Sequence, residues 1–293
     1  MMNGIPTFVK WAGGKKQLIE QFKQYFPKKA DRYFEPFVGG GAIAFYVIKH
    51  YAPKEVYLSD SNEELVNTYN VIKENVEELI SVLKGYKGQH SKEFYYKIRA
   101  ENPKKLSTVL RAARFIYLNK TCFNGLYRVN SKGQFNVPMG NYKNPAICNE
   151  KELREISRML KNAIITARQF DEIGDYVESG DFVYFDPPYY PISKAGNFTT
   201  YTKEDFLENE QIKLAGLYKK LDKLGANVML SNSDADFVKS LYQGYRVNFV
   251  KATRMINCNA NGRGKINEIV VTNYEQHHQL LVSTYLVHHS SSR

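Results

Sequence analysis

Four consecutive residues, Asp186-Pro187-Pro188-Tyr189, bring together a carboxylate, a stiff backbone and a flat aromatic ring. The amino group of an aromatic base is a poor nucleophile because its lone pair is delocalised into the ring. A carboxylate and a rigidly held carbonyl could each accept one N–H hydrogen and localise that lone pair toward an incoming methyl group. Asp186 would supply the carboxylate, Pro187 the carbonyl, and Tyr189 a face on which an extruded base stacks. The alternative is a tight loop with an incidental acid.

The apolar run Phe182–Phe185 precedes this motif and predicts a buried strand. Two consecutive prolines cannot continue the hydrogen bonding of a sheet, so the strand must end at Asp186. In open α/β sheets, ligands bind at the carboxyl ends of the strands. We therefore expect Asp186 to lie at the ligand-binding edge of a sheet.

A second motif, Glu35-Pro36-Phe37-Val38-Gly39-Gly40-Gly41, lies where a predicted strand gives way to a helix. Glycines allow a ligand to lie against the backbone. Asp60 follows 19 residues after Gly41, at the end of the next predicted strand, where an acidic residue can bind ribose hydroxyls. The glycine spacing matches neither a dinucleotide fingerprint nor a P-loop, so it favours a nucleoside cofactor without a pyrophosphate. A purely structural turn is the alternative.

The run Phe8–Lys15 contains the single tryptophan of the chain, Trp11, and a cation, Lys15. On residue types alone, a core tryptophan beside surface lysines is the more common reading.

Positive charge is concentrated between Lys84 and Glu150, a segment that contains 13 Lys or Arg residues and only three acidic residues. That segment carries +10 of the formal net charge of +11 and is interleaved with aromatic residues. A solvated basic face would be an ordinary explanation. Concentration together with aromatics favours a nucleic-acid surface.

Alternating strand and helix patterns predict an α/β fold with a mostly parallel sheet. A long helix is expected over Asn62–Leu83. The segment Gly85–Asn149 interrupts the alternation of strands and helices, and we expect it to be an insertion that is mainly helical. The last strand candidates, Tyr245–Lys251 and Glu268–Asn273, have no helix between them, so we expect a hairpin that gives the sheet an antiparallel edge. Predicted domains are residues 1–84 with 150–275, and an inserted lobe at 85–149; residues 276–293 read as a flexible or vector-derived tail.

Cys122, Cys148 and Cys258 form no CxxC pair, which argues against a zinc cluster and a disulfide framework. No stretch approaches the roughly 20 apolar residues of a membrane span, and Met1–Gly14 has no signal-peptide pattern. The sequence predicts a cytoplasmic protein without a metal site, membrane association or an obligate protein partner.

With these motifs taken together, the chain resembles the Dam-type (D12 class) DNA adenine-N6 methyltransferases. The resemblance implies S-adenosylmethionine as cofactor, a seven-stranded Rossmann-like sheet, double-stranded DNA as partner and a flipped adenine as substrate. It also implies that Trp11 and Lys15 line the cofactor pocket, with Glu35, Pro36, Phe37 and Gly39, that Asp60 holds the ribose, and that Asp186 lies between cofactor and target amine. The matching pieces, in the family's order, are Lys10-Trp-Ala-Gly-Gly-Lys15, Glu35-Pro-Phe-Val-Gly39, Asp60, Leu118-Asn119, Asn124-Gly-Leu126, Phe135-Asn-Val-Pro138, Asp186-Pro-Pro-Tyr189, Asn197-Phe-Thr199 and Ser231-Asn232.

The same resemblance implies a target sequence. Members that methylate GATC place an Arg two residues after Asn-Gly-Leu, which is Arg128 here. An Arg fork matches the O6 and N7 acceptors of guanine, although a phosphate contact is the alternative. The segment departs from the best-known member at Lys120-Thr-Cys122, Tyr127 and Asn141. The other expected DNA-binding residues are Lys10, Asn124, Pro138, Tyr142 and Phe123, the last either a base-stack wedge or a core aromatic.

Two other functions stay open at this point: a methyltransferase for RNA adenine or cytosine N4, and a DNA-binding homologue that has lost catalysis. The family resemblance associates Ser at position 186 with cytosine, so Asp there points toward adenine. Intact Lys15, Asp60 and Tyr189 argue for an enzyme. Whether a restriction endonuclease accompanies the enzyme is left open as well.

Overall fold

The computed structural model describes residues 4–192, 206–253 and 265–275. Its described strands form one seven-stranded sheet in the order β3-β2-β1-β4-β5-β7-β6. β7 runs antiparallel to both β5 and β6, while the other pairings are parallel. The predicted mixed α/β fold and the hairpin at the end of the sheet are confirmed. The strands are β1 Arg32–Glu35, β2 Glu55–Asp60, β3 Ala163–Ala167, β4 Phe182–Phe185, β5 Asn227–Ser233, β6 Arg246–Thr253 and β7 Lys265–Thr272.

Helices cover both faces of this sheet. Because side chains alternate along a strand, neighbouring residues enter different cores: Tyr33 packs with one cluster and Phe34 with the other. The first cluster includes side chains of α2, α3, α4, α6 and α7, and the second those of α8 and α9. The described helices are α1 Ile19–Phe22, α2 Ala42–Tyr51, α3 Glu63–Glu74, α4 Val76–Gly88, α5 Lys92–Ala100, α6 Thr108–Thr121, α7 Glu150–Met159, α8 Glu208–Lys223 and α9 Asp236–Leu241.

The prediction of a single helix over Asn62–Leu83 is wrong, because the structure has two helices there, α3 and α4, which are separated at Asn75. Asn75 leaves the helical conformation (φ −131°, ψ 36°), ends α3 and begins α4, its carbonyl accepting from the Leu79 N–H. Asn side chains compete for backbone hydrogen bonds, and they favour helix ends over helix interiors. The apolar period continues across this break, which is why the pattern alone suggested one helix.

The expected insertion does not begin at a loop, since Gly85 and Gly88 lie within α4. Its helices share a hydrophobic cluster with the sheet, because Tyr95 and Ile116 pack in the same cluster as Tyr33. Beyond α6 the segment has turns and two isolated β-bridges, Cys122 with Met139 and Val129 with Phe135.

Several basic residues of the 84–150 segment are engaged inside the protein. Arg114 is buried (6% exposed) and donates to the carbonyls of Ile98 and Arg99 in the last turn of α5. Arg111 pairs with Glu64 on α3. The surface that the segment offers to a polyanion is therefore less positive than its composition suggests.

No helix among the described residues is long and apolar enough to cross a membrane. The family motif Asn197–Thr199, Cys258 and the tail at 276–293 lie outside the described residues.

Arg114→Ala should lower the free energy of unfolding by about 2–4 kcal/mol, because the buried Arg99 carbonyl loses its side-chain donor and the Ile98 carbonyl keeps only the Glu101 N–H. Urea denaturation measures the change, with exposed Lys104→Ala as the control, which should stay within about 0.5 kcal/mol of wild type. Equal stability of the two variants would contradict the capping role of Arg114.

Candidate active site and nucleic-acid interface

Asp186 lies directly after β4, next to the end of β1. Its Oδ1 atom is 2.7 Å from the Lys15 ammonium nitrogen and accepts a 2.8 Å hydrogen bond from the Ser231 hydroxyl. Ser231 in turn shares a 2.8 Å hydrogen bond with the buried Tyr184 hydroxyl. Lys15 is buried, only 4% exposed, and also donates to the Gly13 carbonyl at 2.6 Å. Both carboxylate contacts use Oδ1 and neither uses Oδ2.

Buried amides on α8 and β5 hold the backbone that follows Asp186. Gln211 donates to the Pro188 carbonyl at 3.1 Å and accepts from the Asn232 side-chain amide at 3.0 Å. Asn232 also accepts from the Tyr190 backbone N–H at 3.3 Å. The chain of contacts fixes the Pro-Pro segment. Gln211 carried no signal in the sequence, because its partners are distant in the chain.

Tyr189 is held at both its ring and its hydroxyl. The Lys15 ammonium lies 4.5 Å from the ring centroid, and the hydroxyl donates to Glu268 of β7 at 2.7 Å. Burial raises the pKa of the Tyr189 hydroxyl well above its ordinary value, so the group stays protonated. The ring is therefore fixed beside Asp186 as an uncharged face.

Glu35 ends β1 as a buried carboxyl that accepts a hydrogen bond from the Tyr33 hydroxyl. Burial raises the pKa of Glu35 well above its ordinary value of 4.5, although the Tyr33 hydrogen bond and the nearby Lys15 charge act the other way. The negative field of Asp186 reinforces the rise. Two carboxyl groups and one cation therefore meet where β1 and β4 end.

The glycine turn joins Trp11 and Asp60. The Gly39 N–H donates to one Asp60 oxygen at 3.1 Å, the Asn62 N–H donates to the other at 2.9 Å, and the Gly39 carbonyl accepts from the Tyr69 hydroxyl. Gly39 has φ +46°, and a Cβ there would lie 2.7 Å from the Trp11 indole nitrogen. No side chain fits at this position, so the turn requires glycine.

An aromatic cluster adjoins this turn. Phe37 stacks on Phe170 with ring centroids 5.3 Å apart, and both rings meet the edge of Phe206. Pro36, which joins β1 to Phe37 in the chain, is buried. Phe170 was not predicted, although its position three residues after β3 places it at the same edge of the sheet.

Residues that are far apart in sequence and were predicted to bind DNA lie close together in the structure. The Lys10 ammonium lies 4.0 Å above the Tyr142 ring. A Cβ at Gly125 would lie 2.5 Å from the Lys10 side chain, so the Asn124–Gly125 turn packs directly on Lys10. The Phe123 N–H donates to the Pro138 carbonyl at 2.9 Å. Five of the six predicted DNA-binding residues, Lys10, Phe123, Asn124, Pro138 and Tyr142, thus lie in one region.

Arg128 and Phe123 are both exposed. Phe123 is 51% exposed, which is unlike a core aromatic. Arg128 begins a short hairpin, and its Nε atom donates to the Asn136 side chain at 2.8 Å. This contact holds the side chain without using Nη1 or Nη2. Asn136 was noted only as part of a motif, with no role.

The sequence model of one protein family, the D12 class N6 adenine-specific DNA methyltransferases, matches residues 11–256 of this chain. The chain belongs to this family. The adenine-N6 methyltransferase is 47% identical to the type II methyltransferase M.MjaIII of Methanocaldococcus jannaschii, over 92% of this chain and 99% of that one. It is 43% identical to the type II methyltransferase M1.LlaDCHI of Lactococcus lactis, over 92% and 96%. It is 36% identical to the DNA adenine methylase of Vibrio cholerae, over 90% and 94%.

The family match confirms the resemblance seen in the sequence and with it adenine-specific methylation of DNA. Family membership implies S-adenosylmethionine as the methyl donor. Within the described ranges, no group of three or more His, Cys, Asp or Glu side chains is placed to hold a metal ion.

Glu35→Gln should flatten the pH dependence of the methyltransferase's stability. Since the pKa of Glu35 is raised in the folded state, the stability that its bound proton contributes is complete below about pH 4.5 and is lost as pH rises through the raised pKa. Urea unfolding of the cofactor-free protein at several pH values above about 4.5 measures this. The exposed variant Glu74→Gln is the control and should keep the wild-type slope. Parallel curves for Glu35→Gln and wild type would contradict the assignment.

Proposed function

We propose that this methyltransferase methylates N6 of an adenine rotated out of the DNA duplex, within the sequence GATC, and that Asp186, Pro187 and Tyr189 carry out the chemistry. The observation that supports the catalytic part is the attachment of Asp186 Oδ1 to buried Lys15 and to Ser231. These two contacts orient the carboxylate at the edge of the sheet where β1 and β4 diverge, the position at which α/β sheets bind ligands.

Asp186 orients the amine through its other oxygen. Oδ2 accepts one N6 hydrogen and the Pro187 carbonyl accepts the second, so the nitrogen lone pair projects away from the base plane. As the new N–C bond forms, N6 becomes positively charged, and the carboxylate stabilises that charge. The surplus N6 proton then leaves along the hydrogen bond to Asp186 and passes to solvent. The Tyr189 ring, fixed by Lys15 and Glu268, stacks on the base.

S-adenosylmethionine, when bound, would supply a methyl group activated by a positively charged sulfur, which keeps the electrons of the broken S–C bond and leaves as a neutral thioether. The donor set fits this molecule: carboxylates for the ribose hydroxyls and the ammonium, a buried cation for the carboxylate, and aromatic faces. The Gly39 turn supports the assignment because its N–H holds the Asp60 carboxylate at the end of β2, where a ribose would bind. The residues proposed to hold the cofactor are Trp11, Lys15, Glu35, Pro36, Phe37, Gly39, Asp60 and Asp186.

Target recognition is proposed for the 85–149 lobe together with Lys10. The contact of Arg128 Nε with Asn136 leaves Nη1 and Nη2 as the paired donors that fit guanine O6 and N7. Exposed Phe123 is proposed to wedge into the stack as the adenine leaves it. Lys10, Asn124, Pro138 and Tyr142 complete the interface.

A companion restriction endonuclease is proposed as a cellular partner. The support is that two relatives, at 47% and 43% identity, are named type II methyltransferases.

Arg128→Ala should reduce target selection more than chemistry. If the guanidinium donates two hydrogen bonds to one guanine, its loss removes about 1–3 kcal/mol of discrimination at that base pair. Wild type should place N6-methyladenine at GATC in unmethylated plasmid DNA, mapped by sequencing. Values of kcat/KM on GATC and on each single-base variant then measure discrimination.

Lys132→Ala, an exposed cation on the same hairpin, is the matched control. It should weaken binding to all sequences about equally. If Arg128→Ala also loses the same factor on every sequence, Arg128 contacts phosphate and the GATC proposal loses its main support.

A further inference from the structure

Asn119, near the end of α6, is almost completely buried (1% exposed) and uses its whole side-chain amide. Oδ1 accepts from the Lys10 N–H at 2.7 Å, and Nδ2 donates to the Lys10 carbonyl at 2.8 Å. Nδ2 also donates to the Gly125 carbonyl at 3.0 Å. One side chain therefore ties together two backbone segments that are more than 100 residues apart in sequence.

The shape of the turn adds to these bonds. Asn124 and Gly125 both have positive φ, +56° and +65°, which bends the chain back toward Lys10. Any Cβ at Gly125 would fall within 2.6 Å of Lys10 Cβ and Cδ. The turn is thus seated on Lys10 by close packing as well as through Asn119.

Both segments lead into groups that the proposed function assigns to DNA reading. Lys10 lies over Tyr142, and Arg128 follows Gly125 by three residues. Lys10 also begins the run that contains Lys15, the cation paired with Asp186. A displacement of the Asn124–Gly125 turn relative to Lys10 would move the residues proposed to recognise the DNA sequence. They would shift relative to each other and to the proposed catalytic carboxylate of Asp186.

We infer that Asn119 is a positioning residue for target recognition, which fixes Lys10 and the Asn124–Gly125 turn as one rigid unit. The inference rests on the proposed function, since it requires Lys10 and the turn to face DNA. Base discrimination demands that donors lie within a few tenths of an ångström of their acceptors, because hydrogen bonds weaken steeply with distance and angle. Contacts between mobile lysines and phosphates tolerate larger displacements of the donor from its acceptor.

Asn119→Asp tests this with minimal change of shape. The carboxylate keeps an acceptor for the Lys10 N–H but cannot donate to the two carbonyls. The ratio of kcat/KM on GATC to that on single-base variants should fall about five- to tenfold, part of the roughly 5- to 150-fold that one bidentate contact provides. Binding of S-adenosylmethionine, measured by calorimetry, should change less than about twofold, because the substitution leaves the charges around Asp186 in place.

Gly125→Ala disturbs the packing of the Asn124–Gly125 turn on Lys10 without touching Asn119, because its Cβ would push against Lys10. It should lower the discrimination ratio in the same way, and it keeps the inference testable if Asn119→Asp folds poorly. Asn273→Ser is the matched control: Asn273 makes three similar bonds, to Asp222, Ala226 and Val228, at the far end of β5. It should lower stability and leave the ratio unchanged.

Unchanged ratios in folded Asn119→Asp and Gly125→Ala, with a reduced ratio in Arg128→Ala, would overturn the role of Asn119 and leave the proposed function intact. An unchanged ratio in Arg128→Ala would instead count against the proposed recognition surface. Equal losses of ratio in Asn273→Ser and Asn119→Asp would reduce Asn119 to a general stabilising residue and overturn the inference.

Discussion

The ion pair between Lys15 and Asp186 organises the edge of the sheet where the proposed active site lies. Taking a lysine ammonium out of water costs several kcal/mol unless other groups replace its hydration. Here Asp186 Oδ1, the Gly13 carbonyl and the Tyr189 ring surround the buried cation. Asp186 gains the Ser231 hydroxyl in addition. Removing either charge would leave the other one buried without a partner of opposite charge. The arrangement therefore constrains the N-terminal run, the end of β4 and the end of β5 together.

The sheet brings these groups together because β1 lies between β2 and β4, so the connections from β1 and β4 leave in opposite directions. At this edge, Glu35 ends β1 and Asp186 follows β4. Asp60 ends the neighbouring β2 and reaches the same edge through Gly39. Parallel strands place their carboxyl ends side by side, so three acids from distant parts of the chain lie at the same edge of the sheet without long loops.

Local patterns were enough for the parts of this site that follow strands. The apolar run Phe182–Phe185 and the two prolines after it predicted the end of β4, and the structure has those strand bounds. The missing helix between the last two strands predicted the β6–β7 hairpin. Asn75 was misread because one residue outside helical geometry does not interrupt an apolar period.

Contacts made across the fold could not be read from the sequence. Gln211 and Asn119 each sit within an ordinary helical pattern, and only folding shows which carbonyls they reach. Arg114 counted as a surface charge in the composition, whereas tertiary packing buries it against α5. Such polar side chains are recognisable only when burial and partner are both known, because an unpaired buried amide or guanidinium would be costly.

The single-turnover rate of methyl transfer in Ser231→Ala, at saturating DNA and cofactor, tests whether the attachment of Asp186 governs the chemistry. The substitution removes one of the two contacts on Oδ1 and leaves the carboxylate and Lys15 in place. A misplaced catalytic group can cost up to about a hundredfold, so the rate should fall at least about tenfold while DNA and cofactor affinities change little. A rate within about twofold of wild type would contradict the account, because Asp186 would then act without being held.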